Sequence, residues 1–257
     1  MGGALLKGWL GAKRFPVHVV EPQPSVALRR MAEAKKILLA EKFPVKHGCR
    51  YAAVVIALKP QVLKKETALL AALGGTDALV VSIAAGVSTR FLASGLGART
   101  RVVRAMPNTP GSIGRGITVL CAGSRLSKAD RALAEGLMSA LGETLWLSDE
   151  KLMDAVTAVS GSGPAYVFLL AEALAQAGRA EGFDAATAEK LARATVSGAG
   201  ALLDTDRRPA AELRREVTSA GGTTEAALEI LMGNNGLPRL MRRAVAAARK
   251  RGKALGA

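Results

Sequence analysis

Apolar and polar positions along the chain follow different rules on either side of residue 150. Up to that point short β-branched runs recur, at VHVVE (17–21), AAVVIAL (52–58), ALVVSI (78–83), RVVRA (101–105), GITVLCA (116–122) and ETLWLS (143–148). Stretches with a helical period lie between several of them, among them PSVALRRMAEAKKILLAEK and KADRALAEGLMSAL. Runs that are apolar throughout are buried on both faces, and their alternation with helices predicts a parallel sheet covered on both sides. After residue 150 only the helical period remains, in LMDAVTAV, GPAYVFLLAEALAQAGRAEG, AATAEKLARATVSGAGALLD, PAAELRREV, TTEAALEIL and LMRRAVAAARKRG. Gly182 stops one of these helices, Asp184 starts the next, and Pro209 takes a first-turn position. The pattern predicts an α/β then all-α chain, with a doubly wound parallel sheet over 1–150 and an all-helical domain over 151–257. Small residues are frequent in the helical half, and part of its core is expected to come from a second chain.

A doubly wound sheet that holds a dinucleotide opens with an apolar strand, then G-x-G-x-x-G entering a helix. Here MGGALLKGWLGA reads as the helix itself, and VHVVE follows it, ending at Glu21 where the second strand of such a sheet ends. The expectation is that the first strand and two of the three glycines are missing from the sequence. Met1 is then the internal methionine of a G-x-G-x-Met-Gly fingerprint, and the functional protein begins a strand's length earlier. An α/β domain that binds no nucleotide stays open on this pattern alone.

Composition narrows the classes. The 257 residues are 49% hydrophobic, enough for real cores. No apolar run reads as a membrane span, and the N-terminus lacks a basic region ahead of its apolar residues. A soluble, cytoplasmic protein is expected. Cys49 and Cys121 are far apart and read as free thiols; His18 and His47 stand alone; no metal spacing is present. The net charge is +15, with 13 Lys+Arg against 3 Asp+Glu in residues 1–65 and seven basic residues in 239–253. Such a surface attracts polyanions, a phosphate-bearing cofactor or an anionic substrate alike. A non-enzymatic nucleic-acid-binding protein is one alternative, but the nine aromatics are not interleaved with basic residues as a stacking platform requires, so no specific nucleic acid is expected.

Four stretches carry chemistry. ALKPQ (57–61) and RAMPNTP (104–110) each follow a strand, AVSGSGPAYVF (158–168) opens a long helix, and TSAGGTTEAAL (218–228) opens a later one. In this order and spacing, from residue 1 to about 250, they resemble the pyrroline-5-carboxylate reductase family. The resemblance implies reduction of 1-pyrroline-5-carboxylate to L-proline by hydride from NADPH or NADH. It implies a Rossmann domain for the cofactor, a helical domain that makes a homodimer or higher homo-oligomer, and an active site at the carboxyl edge of the sheet completed by the helical domain. It places Gly2 as the third fingerprint glycine. It places Ala57, Leu58, Lys59 and Pro60, with Ile83, Ala84 and Ala85, along the cofactor, and Met106 and Asn108 on the nicotinamide side. Ser219, Gly221, Gly222, Thr223 and Thr224 become the substrate turn, with Thr224 and Lys59 as catalytic candidates.

The physical reading of 217–228 agrees with that role. A helix start offers unpaired N–H groups and a positive dipole end, which suits the carboxylate of a small cyclic imine acid. Gly221 and Gly222 let the backbone come close, and Thr223 and Thr224 add uncharged donors. A capped helix in a bundle needs only one such residue. Hydride transfer to an imine carbon needs orientation and water exclusion but little acid–base machinery. Lys59 either steadies a phosphate or substrate charge or is an ordinary lysine at a strand end, with the Lys-Pro step acting through its backbone. A β-hydroxy-acid dehydrogenase is a second alternative, but it needs a lysine base at the start of its second domain, and none occurs between Lys151 and Lys190.

Three departures from the family pattern stand out. Ala220 replaces a turn proline, Glu216 replaces an amide and calls for Arg214 or Arg215 to offset it, and FPVKHGCRYAAVV is short and basic. The cofactor choice stays open: Glu21 suits a ribose 2′-hydroxyl, whereas Arg29 and Arg30 offer charge to a 2′-phosphate.

Overall fold

The computed structural model describes every residue except 13–14, 44–50, 75, 98, 124 and 257. His47 and Cys49 fall outside the described residues. The chain forms two compact units, Met1–Gly161 with Arg249–Ala257, and Ser162–Ala248.

The first unit contains α1 (Gly2–Ala12), β1 (His18–Val20), α2 (Val26–Glu33), β2 (Leu38–Ala40), β3 (Ala53–Ile56), α3 (Pro60–Leu63), α4 (Thr67–Gly74), β4 (Leu79–Ser82) and α5 (Thr89–Leu96). It continues with β5 (Val102–Met106), β6 (Gly116–Ala122), α6 (Lys128–Met138), β7 (Gly142–Leu147) and α7 (Met153–Val156). β3 to β7 form one sheet in sequence order. Alternate residues of its strands feed opposite cores. Leu79, Val81, Val103, Ala105 and Leu120 pack with Leu5 of α1 and Leu137 and Met138 of α6. Ile56, Val80 and Val102 pack with Leu70 and Leu73 of α4 and Leu92 and Leu96 of α5. This is the doubly wound arrangement expected from apolar runs flanked by helices.

Two details differ from the sequence expectation. The sheet is not wholly parallel: β6 runs antiparallel to β5, with Arg104 opposite Cys121. The Thr109–Ile113 turn between them is too short for the helical crossover that a parallel connection needs. The helix expected across 24–42 ends at Glu33, and Lys35 takes a left-handed φ of 54°, after which Leu38–Ala40 becomes β2. β1 and β2 form a separate parallel pair, whose ladder does not join that of β3 to β7 among the described residues.

The second unit holds α8 (Gly163–Ala180), α9 (Ala185–Thr205), α10 (Ala210–Glu216) and α11 (Thr223–Leu231), and α12 (Leu237–Gly256) begins in it. α8 and α9 approach closely through small residues: a Cβ on Gly178 would lie 3.4 Å from that of Ala188. Asp184 caps α9, accepting N–H bonds from Ala186 and Thr187 at 3.0 Å. The larger apolar side chains are not covered within the chain; Phe168 is 68% exposed, Leu169 61% and Ile230 79%. Contrary to the sequence reading, the helical stretch Glu150–Ala180 is long and apolar enough, by length and composition, to cross a membrane.

The change from strands to helices falls near residue 150, yet the compact units divide after Gly161. The physical reason is Arg104, 5% exposed on β5. Its guanidinium donates to Glu150 Oε1 and to Asp154 Oδ1, both at 3.2 Å. Glu150 also accepts from the Thr89 N–H at 2.8 Å and the Thr89 hydroxyl at 2.5 Å. Met153 packs beside Val119 and Cys121. Residues 150–161 are thus tied to the sheet. Burial, then the Glu150 carboxylate, push the Cys121 thiol up, with Arg104 offsetting part of the effect.

Two outcomes follow for this unit. Arg104→Met leaves Glu150 and Asp154 facing an apolar side chain, and the chain is expected to lose about 3 kcal/mol of stability in a urea titration. An unchanged midpoint would show that the cluster holds nothing. The second concerns Asp130 in the capping box of α6. Burial pushes its carboxyl up, but the Ser127 hydroxyl and N–H and the Arg101 guanidinium more than offset that, leaving it below the usual range. A depressed carboxyl contributes stability above its unfolded pKa and loses it as pH falls through the folded value. Asp130→Asn is therefore expected to cost about 1–2 kcal/mol at neutral pH, with the difference from wild type shrinking in acid. Parallel pH curves for the two proteins would contradict this.

Candidate active site

The carboxyl ends of β3, β4 and β5 bring together the first group of expected site residues. Ile56 at the end of β3 accepts from the Ile83 N–H at 3.0 Å, which sets Ala57 and Leu58 beside Ile83, Ala84 and Ala85. α1 begins at the same edge. A Cβ on Gly2 would lie 3.0 Å from that of Ala57, so glycine lets this helix start sit close to the strand end without displacing it. Gly3 is exposed with nothing within 4 Å of a Cβ, and the first turn of α1 has no acidic residue. An open helix N-terminus without negative charge, backed by a close strand end, fits the diphosphate of a dinucleotide.

Lys59 occupies the N-cap position of α3, extended at φ −62° and ψ 144°, with Pro60 in the first turn. The residue before a proline is driven out of the helical region, and proline has no N–H for a helix start to leave unpaired. The Lys-Pro step thus turns the chain sharply away from the strand end. The Lys59 side chain is exposed and makes no capping bond, while its carbonyl accepts from Val62 and Leu63. At the end of β4, Gly86 takes a left-handed φ of 72°, and Ser88 caps α5 through the Phe91 N–H at 3.2 Å.

Met106 ends β5, and its Cε lies where a Cβ on Gly161 would be only 2.6 Å away. Gly161 closes the π-helical turn Thr157–Gly161, so the first glycine of SGSGP lets the end of the Met106 side chain lie against this turn. Asn108 also has a task within the fold. Its Oδ1 accepts from the Ile117 N–H at 3.0 Å and pins the Thr109–Ile113 turn to β6. No local pattern marks that bond, because the antiparallel return of β6 creates it.

The second group lies in the helical unit. Gly222 is the N-cap of α11 and provides no side-chain cap. Neither Thr223 nor Thr224 caps the helix; both lie inside its first turn, with Thr224 half-buried. The turn before them is tight. Gly221 has a φ of 70°, the Gly222 N–H donates to Ser219 O at 3.0 Å, and a Cβ on Gly222 would meet Ser219 Oγ at 2.4 Å. The hydroxyl-rich stretch therefore leaves the first amides of α11 without a side-chain cap, which a stretch selected only for capping would not do. Ala220 in place of proline does not prevent this turn.

Two carboxylates near this turn were misjudged or missed. Glu216 is held by Arg208, with both contacts at 3.0 Å, and not by Arg214 or Arg215. Its carboxyl is lowered by the bonds to Arg208, which also grips Asp206 at 2.7 Å. Glu225 reaches back to accept from the Gly221 N–H at 2.7 Å. Acidic residues favour a helix first turn, the one signal that pointed to it. His18 is structural, its Nδ1 2.7 Å from the Tyr51 hydroxyl, and Cys121 is a buried free thiol. No cluster of metal-binding side chains occurs among the described residues. A cavity of about 380 Å³ opens at the opposite, amino-terminal ends of β4 and β5, lined by Gly74, Asp77, Arg99 and Arg101, and includes none of the site residues.

Comparison with known proteins places this geometry. A family model described as pyrroline-5-carboxylate reductase dimerisation matches residues 150–255. A pyrroline-5-carboxylate reductase of Mycobacterium leprae is 38% identical over 279 aligned positions, covering 99% of this chain and 93% of that protein. One from Pseudomonas aeruginosa is 44% identical over 198 residues, 77% of this chain and 72% of its own length. Among solved structures, the reductase of Coxiella burnetii superposes with a TM-score of 0.89 at 35% identity, covering 100% of this chain and 95% of that one. The Plasmodium falciparum enzyme, solved with NADP bound, gives 0.82 at 26% identity and covers 100% and 95%. With two strand-end loops and an uncapped glycine-rich helix start built as described, and a relative of this similarity over nearly its whole length, the chain belongs to the pyrroline-5-carboxylate reductase family.

Proposed function

We propose that this protein reduces 1-pyrroline-5-carboxylate to L-proline, using NADPH or NADH as the hydride donor. The observation that carries the substrate assignment is the start of α11: a left-handed Gly221, a Gly222 packed on Ser219, and no side-chain cap on the amides that follow. Membership of the family supplies the reaction.

Residues 1–150 are assigned to the cofactor and 151–257 to substrate binding and assembly. The first turn of α1 would receive the diphosphate, with Gly2 keeping the approach open. Ala57, Leu58, Lys59 and Pro60, and Ile83, Ala84 and Ala85, would line it, mainly through backbone. Lys59 contributes positive charge at that edge. Met106, backed by Gly161, would give the nicotinamide an apolar wall, while Asn108 fixes the loop behind it. When bound, the nicotinamide supplies the hydride. The α11 amides and the hydroxyls of Thr223 and Thr224 would hold the substrate carboxylate and orient the imine carbon. The ring nitrogen is itself basic, so its proton needs only water or a nearby hydroxyl. Orientation and exclusion of water account for most of the rate.

The uncovered apolar face of α8, including Phe168 and Leu169, is assigned to a second copy of the chain rather than to lipid, in keeping with the dimerisation match over 150–255. The protein is taken to be a soluble, cytoplasmic homo-oligomer without a specific nucleic-acid partner, its charge serving anionic small molecules.

Thr224→Val keeps shape and removes a donor. It is expected to raise KM for the imine acid by roughly ten- to a hundredfold, as the loss of one hydrogen bond to a charged group does, with little change in KM for the cofactor. Identical constants in wild type and variant would remove Thr224 from the site. Light scattering at micromolar concentration should show no monomer; a folded, fully active monomer would overturn the assembly.

A further inference from the structure

We infer that Glu21 makes this protein select NADH over NADPH. The inference rests on the proposed dinucleotide site and adds a choice between the two cofactors. Glu21 directly follows β1, and its N–H donates to Ala40 O at 2.9 Å, extending the β1/β2 ladder by one residue. The sheet, and not a free loop, therefore fixes its backbone. Its side chain is fixed as well: Oε1 accepts from the Gln23 N–H at 3.1 Å. The turn then closes on α2, where Ser25 Oγ accepts from the Leu28 N–H at 3.3 Å.

Position along the chain brings this carboxylate to the cofactor edge. Gly2 touches Ala57, just past the carboxyl end of β3, so α1 starts at that edge of the unit. α1 runs away from the edge and β1 returns toward it, so Glu21 stands at the end of the strand that follows the diphosphate helix. In doubly wound dinucleotide sites an acidic residue there, roughly 20 residues beyond the glycine turn, accepts hydrogen bonds from the adenosine ribose hydroxyls. A carboxylate offers about four acceptor positions, so the bond from Gln23 leaves room for the ribose. A 2′-phosphate in the same place brings a charge of roughly −1.5 to −2 against it. It has no proton to donate where the 2′-hydroxyl has one.

The counterweight is Arg29 and Arg30, both exposed on α2. They lie four and five residues beyond the Ser25 cap on long solvated side chains, whereas Glu21 is held by the ladder and by Gln23. Like charges placed in contact are strongly penalised, while flexible exposed cations recover little. The carboxylate therefore decides.

The test is direct binding, measured by fluorescence titration or calorimetry with NADH, NADPH, ADP-ribose and 2′-phospho-ADP-ribose, alongside imine reduction with each reduced cofactor. Wild type is expected to bind the ligands without the 2′-phosphate at least about tenfold more tightly. In Glu21→Gln the ratio should fall to within about threefold, chiefly through tighter binding of NADPH. Arg29→Ala should leave the wild-type ratio in place. Equal binding of both cofactors by an active wild type, or a ratio that Glu21→Gln does not move, overturns the selectivity and leaves the reductase reading standing. A ratio that shifts toward NADH in Arg29→Ala means that arginine reads a 2′-phosphate, and also overturns it. Binding of neither cofactor removes the dinucleotide site and this inference together.

Discussion

The buried guanidinium of Arg104 is the constraint on which the edge of the first unit depends. A charge that is 5% exposed must be paired, and the pairing partners come from residues 150–154, beyond the last strand. Glu150 is in turn fixed by Thr89 at the start of α5. One cluster therefore joins β5, α5 and the segment that leads to the helical half. Met106 lies two residues after Arg104 on β5, and its Cε packs against Gly161 at the end of the joined segment. Burying an ion cluster stabilises little compared with apolar packing of the same shape, but its hydrogen bonds admit few alternative arrangements. In this protein it fixes which turn of residues 150–161 lies against the end of β5.

In both groups of expected site residues, each taken within its own unit, the backbone carries most of the geometry. Gly2, Gly221 and Gly222 each stand where a side chain would block an approach or strain a turn, and Lys59–Pro60 acts by bending the chain. Lys59 is the one titratable side chain among the expected site residues. That suits a reaction whose hydride comes from a cofactor and whose substrate nitrogen is basic enough to hold its own proton. It also explains why the net charge and the two histidines say little about the reaction, while short motifs of glycine, proline, serine and threonine carry the family resemblance.

Much of the fold was legible because burial on two faces leaves a plain mark. Every β-branched run up to residue 150 became a strand, and the helices after it appeared where Gly182, Asp184 and Pro209 delimit them. What was not legible depends on distant partners. β6 is as apolar as its parallel neighbours, so its reversed direction could be read only from the short turn before it. Leu38–Ala40 continued a helical period until Lys35 broke it. Arg208 was overlooked as the partner of Glu216 because it lies eight residues away, across the start of α10, whereas Arg214 and Arg215 are adjacent in sequence. The bond between Asn108 and Ile117 could not be read ahead because it exists only once the turn closes.

The division of the sheet bears on how the cofactor edge is held. β3 to β7 share one ladder and two apolar cores, whereas among the described residues β1 and β2 hold only each other by backbone bonds. At the amino end of the break, His18 and Tyr51 join β1 to the approach of β3 through side chains. At the carboxyl end the positions that matter are Gly2 and Ala57 on one side and Glu21 on the other. A backbone edge without a partner is weakly held, and its amides open more readily than those of an interior strand. A dinucleotide resting on the α1 start and on Glu21 would span both pieces. It would therefore supply, from the ligand side, a tie that the ladder does not make, and part of its binding energy would be spent on ordering β1 and β2. Affinity at this edge is then set by how firmly β1 is held as well as by the groups that touch the ligand.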